Sequence, residues 1–181
     1  MEILTLSEYL KREFGQKVYK LSLSSGCTCP NRDGTIGTGG CTFCSEGGSG
    51  EFAQPFADEN SIGDEIERAK ALVRRKLPAN AAGADEKYIA YFQSYTNTYG
   101  DTDRLTRLYR KTMERPDIAA LSVGTRPDCL EDDKIRMLSE LNQIKPVWVE
   151  LGLQTANDRT AEKIHRGYET CVFADCYRRL K

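Results

Sequence analysis

The sequence holds a single histidine, His165, in 181 residues. Any Ser-His-Asp or Cys-His site would have to use that one side chain, and a metal site built on two histidines is excluded. No apolar run approaches the roughly 18 residues that a membrane span needs. The opening stretch, MEILTLSEYLKREF, carries charges early and has no apolar core of the secretory kind, so a cytoplasmic location is expected. A net charge of −1 gives no domain-wide basic field for nucleic acid. The local basic clusters, Arg74-Arg75-Lys76 and Arg178-Arg179, fall at predicted helix ends, where solvated charge is the ordinary reading. Internal repeats and low-complexity tracts are also lacking.

Against these absences, cysteine is abundant. There are seven, and four of them lie between residues 27 and 44. In a reducing compartment a disulfide framework is not expected. Clustered cysteines then read first as metal ligands or redox groups. Hydrophobic residues at 39% and charged residues at 29% match a globular chain. The length fits one domain, or one incomplete larger one.

Periodicity sets out the elements. Residues 5–14 read as a short amphipathic helix with Tyr9, Leu10 and Phe14 inward. KVYKLSLS at 17–24 alternates and reads as the first strand. Residues 25–60 form a long segment rich in Gly, Ser, Cys, Asn and Pro; unstructured stretches of this length are usually functional. Helices are predicted over 61–77, 101–115, 130–144, 157–165 and 170–179, and 78–86 reads as a loop. Ser61 is expected to cap the helix that begins there. Buried strands are predicted at 88–93, 118–123 and 146–153. Strand and helix alternate, which predicts an α/β fold with a parallel sheet and right-handed crossovers. Sites in such folds gather at the carboxyl ends of the strands. Residues 25–50, 94–100, 124–128 and 154–157 should therefore share one rim.

Cys29 is followed by Cys41 after eleven residues and by Cys44 after two more. The Cys41-Thr42-Phe43-Cys44 spacing lets two sulfurs face one ion or cluster, and the glycines around it free the backbone to wrap. Thiolates favour iron–sulfur clusters and zinc. Three readings stand at this point: a cluster on Cys29, Cys41 and Cys44; a closed zinc site with Cys27 as fourth ligand; and reduced cysteines without metal. Cys27, Cys129, Cys171 and Cys176 read as buried thiols.

The segments Cys29-Pro30-Asn31-Arg32-Asp33-Gly34-Thr35, Gly39-Gly40-Cys41-Thr42-Phe43-Cys44 and Gly48-Ser49-Gly50-Glu51-Phe52 resemble the cluster loop of radical S-adenosylmethionine (SAM) proteins, in a bacterial group similar to the elongator catalytic subunit. Gly124-Thr125-Arg126-Pro127-Asp128, Glu150-Leu151-Gly152-Leu153-Gln154-Thr155 and Arg166-Gly167-Tyr168 extend the likeness, with Tyr168 where the group has histidine. The resemblance implies a partial (β/α) barrel, with four of six strand–helix units within one domain over 1–181, C-terminally incomplete. It implies a 4Fe–4S cluster on Cys29, Cys41 and Cys44, with one iron left for SAM, and reductive cleavage of SAM to a 5′-deoxyadenosyl radical that takes hydrogen from a substrate. It points to Gln93, Ser94, Asn97, Arg126, Glu150, Gln154 and Arg166 as contacts for SAM or substrate. Asp128 is expected to cap the following helix, and Glu150 to be an acid inside a buried strand. The implied partners are a reductant protein such as flavodoxin or ferredoxin, a tRNA base as substrate, and a second copy or completing chain at the open sheet edge; no membrane is expected.

Overall fold

A computed structural model describes residues 3–58, 60–76 and 86–181. Helix α1 (Leu6–Phe14) starts with a capping box, in which Thr5 and Glu8 satisfy each other's backbone donors, and stops at Gly15 in the left-handed region (φ +70°). Strand β1 (Val18–Leu23) follows, then a long loop, then α2 (Ile62–Arg74), β2 (Lys87–Phe92), α3 (Thr102–Met113) and β3 (Ile118–Thr125). A 3₁₀ turn at Pro127–Cys129 leads to α4 (Asp132–Asn142), β4 (Val147–Leu151), α5 (Asp158–Lys163) and α6 (Thr170–Leu180). The end of the predicted second helix at Leu77 and nearly all of the predicted loop 78–86 lie outside the described residues.

All four strands are parallel, in the order β1-β2-β3-β4. This is the α/β architecture of a partial (β/α) barrel. The outer face carries the main core: Leu21, Leu23, Phe92, Leu121 and Val123 pack beneath Ile66, Leu105, Leu108, Tyr109 and Leu138 of the helices. These side chains sit at every second strand position and at helical spacing, so each element buries one face.

The other face is layered. At its base Val18, Ile89, Ala120 and Trp148 meet Leu10 and Phe14 of α1, an apolar plug. One step along each strand comes a polar layer of Lys20, Tyr91, Ser122 and Glu150. Lys20 Nζ on β1 donates to Glu150 Oε1 on β4 at 2.6 Å. In a flat sheet those strands would stand about 14 Å apart, and side chains perpendicular to it could not meet. The sheet is therefore strongly curled, as a barrel wall is. Above the polar layer the strand ends open into loops.

Five expectations need correction. Ser61 does not cap α2; it has helical dihedrals, and its hydroxyl lies within hydrogen-bond reach of both Asp58 O and Glu65 Oε1. Asp128 does not cap α4, because the Arg126 guanidinium holds its carboxylate and Glu131 takes the cap position without a side-chain bond. Glu150 is not enclosed in a buried strand: its side chain is 40% exposed on the inner face of the sheet. Cys171 is exposed, unlike Cys27, Cys129 and Cys176. Tyr9, expected inward, is 36% exposed, with its ring 5.9 Å from that of Trp148.

Asp117 ties the lower ends of the elements together, accepting from Lys70 of α2 at 2.8 Å and from Arg115 at 3.0 and 3.1 Å. Burial alone would raise this carboxyl, but the hydrogen bonds and charges of Arg115 and Lys70 outweigh it and hold it at about 2. A depressed folded pKa stabilises above the unfolded value and is lost as pH falls through the folded one. Asp117→Asn should be less stable at pH 7 by on the order of 1–2 kcal/mol after solvent screening. Urea unfolding should show that gap closing between about pH 4 and about pH 2. A gap constant across that window would contradict the assignment.

Candidate metal centre

The loop between β1 and α2 keeps its shape through its own backbone and two clamps. Arg32 N and Asp33 N donate to Cys29 O, Ile36 N to Pro30 O, Gly40 N to Asn31 O and Cys44 N to Cys41 O. Gly40 (φ +72°) lies so close to the Arg32 guanidinium that a Cβ would come within 2.9 Å of it. Arg32 in turn donates to Cys44 O and Ser45 O at 2.9 and 2.5 Å. On the far side Tyr95 packs against Gly48 (φ +64°) and donates from its hydroxyl to Glu46 O at 2.5 Å. Thr42 N donates to Ile164 O, which fixes the Cys41–Cys44 turn to the end of α5.

This folding brings Cys29, Cys41 and Cys44 into one cleft over the strand ends, with Phe43, Tyr91 and Tyr95 along its walls. The cleft encloses about 220 Å³, below the roughly 300–1,000 Å³ common for cofactor and small-molecule sites. Among the described residues no three His, Cys, Asp or Glu side chains converge on a single-ion site. Cys27 stands apart: it is buried in the outer core and accepts from Arg104 Nη2 at 3.2 Å. A tetrahedral zinc site with Cys27 as fourth ligand thus has no support in the geometry.

Of the other predicted contacts, Gln93, Arg126, Glu150, Gln154 and Arg166 line the same cleft, whereas Ser94 and Asn97 do not. Ser94 is buried beneath Gly50, where a Cβ on the glycine would lie 1.9 Å from the serine hydroxyl. Asn97 is fully buried; its amide donates to Phe92 O and Gly124 O and accepts from Ser25. It stitches β2 to β3. Gln154 projects from the end of β4 with φ +63°. Arg126 grips Asp128 in a two-pronged pair at 2.9 and 2.7 Å and sends Nη1 to Arg166 O at 2.9 Å. The same nitrogen lies 4.0 Å from Cys29 Sγ. The arginine is held firmly in its charged form, because its pairing with Asp128 outweighs the effect of burial.

Arg166 reaches the cleft wall, but its donors are already engaged. Nε donates to Tyr168 O, Nη1 to Leu153 O and Thr155 O, and Nη2 to Asp158 and Thr170. A guanidinium has five N–H groups, so nothing remains with which to grip a carboxylate. It is a clamp on the β4–α5 loop.

Three side chains at the site were given no role by the sequence, although Tyr168 was noted there as standing where the group has histidine. Asn31, quoted there only within the loop motif, is buried and donates from Nδ2 to Cys41 Sγ at 3.3 Å and to the carbonyls of His165 and Arg166. Tyr168 lies between Arg126 and Arg166, with its ring centre 4.9 and 4.5 Å from their guanidinium carbons. Its hydroxyl donates to Gly152 O at 2.6 Å, and burial pushes its pKa up to about 12. Lys20 enters from β1, too distant in sequence to be associated with Glu150. Burial raises the Cys41 thiol, with the Asn31 hydrogen bond acting in the opposite direction.

The family model described as "Radical SAM superfamily" matches residues 27–181. The chain is 41% identical over 177 residues to Uncharacterized protein YtqA of Bacillus subtilis (strain 168), covering 98% of this chain and 52% of that protein. It is 43% identical over 171 residues to Protein YhcC of Escherichia coli (strain K12), covering 94% and 50%. It is 28% identical over 176 residues to Uncharacterized protein MJ0486 of Methanocaldococcus jannaschii, covering 94% and 51%. The chain spans about half the length of these curated relatives.

If Arg166 is a clamp, removing it should be felt without any cofactor. Arg166→Lys cannot reproduce five directed bonds and should lower the stability of the cofactor-free chain by about 1–3 kcal/mol. Denaturant unfolding measures this. An unchanged midpoint would return Arg166 to the role of a ligand-binding residue.

Proposed function

The chain belongs to the radical SAM superfamily, and on that premise we propose that Cys29, Cys41 and Cys44 hold a 4Fe–4S cluster beside a SAM site in the same cleft. Proteins of this superfamily generally use such a cluster with SAM. The observation that carries the reading is the convergence of these three thiols, and no other cysteine, on one cleft at the strand ends. The donor set fits: three soft thiolate donors, which form no single-ion site among the described residues, match a cluster whose fourth iron takes a non-protein ligand. When bound, the cluster and SAM supply one-electron reduction and hydrogen-atom abstraction through a 5′-deoxyadenosyl radical.

The chain's own residues prepare that site. Arg126 places a positive charge 4.0 Å from Cys29 Sγ, beside the thiols that would hold the cluster. Asn31 donates to Cys41 Sγ, and hydrogen bonds to cluster sulfurs tune reduction potential. Gln93 and Gln154 present polar side chains from the ends of β2 and β4, where the amino, carboxylate and ribose groups of SAM need partners. Tyr95 lines one wall of the cleft and is tied to the loop through Tyr95 N donating to Gly48 O. We assign the chain to the elongator-like group of this superfamily, with a tRNA base as substrate and a flavodoxin or ferredoxin as electron donor. The quoted Thr125-Arg126-Pro127-Asp128 and cluster-loop motifs support that assignment.

Anaerobic reconstitution with iron and sulfide should load four irons per chain, seen as broad absorption near the visible range. Cys29→Ala, Cys41→Ala and Cys44→Ala should each lose most of that iron. Cys27→Ala and Cys171→Ala should keep it. Loss on Cys27→Ala, or zinc in place of iron in the protein as purified with no uptake of iron, would defeat the reading.

A further inference from the structure

A second groove lies against the cysteine loop and shares no lining residue with the cleft. Asn31, Ile36, Gly39, Gly40, Glu162 and His165 border it. Asn31 connects the two: it lines this groove and donates from Nδ2 to Cys41 Sγ at 3.3 Å. We propose, resting on the cofactor reading above, that a reduced flavin-carrying protein docks in this groove and passes one electron to the cluster on the Cys41 side.

In the cleft, cofactor and substrate take the space around the thiols, so an electron carrier needs another approach. From the groove, a single side chain, Asn31, reaches to the sulfur of Cys41. Asn31 is buried, and its amide also donates to the carbonyls of His165 and Arg166, so it is fixed in place. The groove is poor in side chains. Gly39 has open space where a Cβ would stand. Gly167 (φ +80°) has Asn31 Oδ1 at 2.6 Å and Ile36 Cγ2 at 3.1 Å from its Cβ position. Glycines let a second surface come close to the loop backbone. Ile36, beside Gly167, stays 48% exposed and offers that surface an apolar contact.

The surface selects the carrier. The dimethylbenzene end of a flavin ring is flat and apolar, and it matches a groove of glycines beside an exposed isoleucine. A fully reduced flavin is also negative, at its phosphate and at its ionised ring. Helix α5 presents Arg159 and Lys163, both exposed, around Glu162 at the edge of the groove. Residues three apart on a helix are neighbours, so two cations there face one acid. Opposite charges on two partners steer and speed their encounter. The step balances: the anionic flavin hydroquinone becomes the neutral one-electron-oxidised flavin, the cluster gains that electron, and no bond or proton moves.

The probes are a flavodoxin reduced to its hydroquinone, a reduced ferredoxin and dithionite. Each is mixed anaerobically with the 181-residue chain carrying its reconstituted cluster. Stopped-flow bleaching of the cluster's visible absorption reads the transfer. Gly39→Glu enters open space, so it should fold and load iron as the native chain does. Ile36→Glu puts a charge on the exposed contact. Each should slow reduction by flavodoxin about tenfold or more and leave the dithionite rate unchanged. Leu72→Glu, at an exposed apolar residue of α2, should leave both rates unchanged. Raising salt from about 50 mM to about 500 mM should slow the flavodoxin reaction of the native chain. Native flavodoxin rates in both groove variants, equal slowing with dithionite, equal slowing in Leu72→Glu, or indifference to salt would each overturn the proposal. So would loss of iron in both groove variants, which would make the groove part of the loop's own scaffold. A ferredoxin that reduces the cluster where flavodoxin does not would give the surface to another carrier and overturn the flavin assignment. Failure of the native chain to load iron would instead strike the cofactor reading, and is seen before any carrier is added.

Discussion

The carbonyl oxygen of Arg166 accepts from Arg126 at 2.9 Å and from Asn31 at 3.2 Å, while the guanidinium of the same residue donates to the carbonyls of Leu153, Thr155 and Tyr168. Through this one residue the cysteine loop after β1, the end of β3 and the loop after β4 are held to a common point. Asn97 adds the remaining tie by joining the ends of β2 and β3. Loops that leave parallel strands have few apolar contacts of their own, so buried hydrogen bonds to carbonyls must fix their positions. The cysteines converge because these ties hold.

The curl of the sheet is the second requirement. It turns four strand ends toward one another, so that residues separated by a hundred or more positions share a cleft. Each inner-face side chain then occupies a layer: apolar at the base, polar in the middle, and small at the top where Gly124 and Gly152 border the site. The small residues matter locally. A Cβ at Gly152 would lie 3.1 Å from the Gln154 amide and 3.5 Å from the Tyr168 hydroxyl.

Much of this was legible in the sequence because it is written at short range. The strand and helix order follows from periods of two and 3.6, and every predicted element in the described residues is present within a few positions. The convergence of the rim segments follows from parallel topology alone. What was not legible depends on direction. Arg166 and Asn97 are polar residues in promising loops, and nothing local says whether their donors face a ligand or the chain's own carbonyls. Glu150 sits in the run PVWVELGL, which looks buried on both faces; only the curl of the sheet shows that the face shared by Trp148, Glu150 and Gly152 is the inner one. Asn31 was hidden for a similar reason, since its partners at Cys41, His165 and Arg166 are up to 135 positions away.

The central claim is that three cysteines hold a cluster with one iron open to SAM. EPR of the reduced, reconstituted chain, recorded with and without SAM, tests it most directly. The account predicts a 4Fe–4S signal whose shape changes when SAM is added, because SAM takes the iron that no cysteine holds. A cluster signal indifferent to SAM would contradict it, by showing that a fourth protein ligand closes the site.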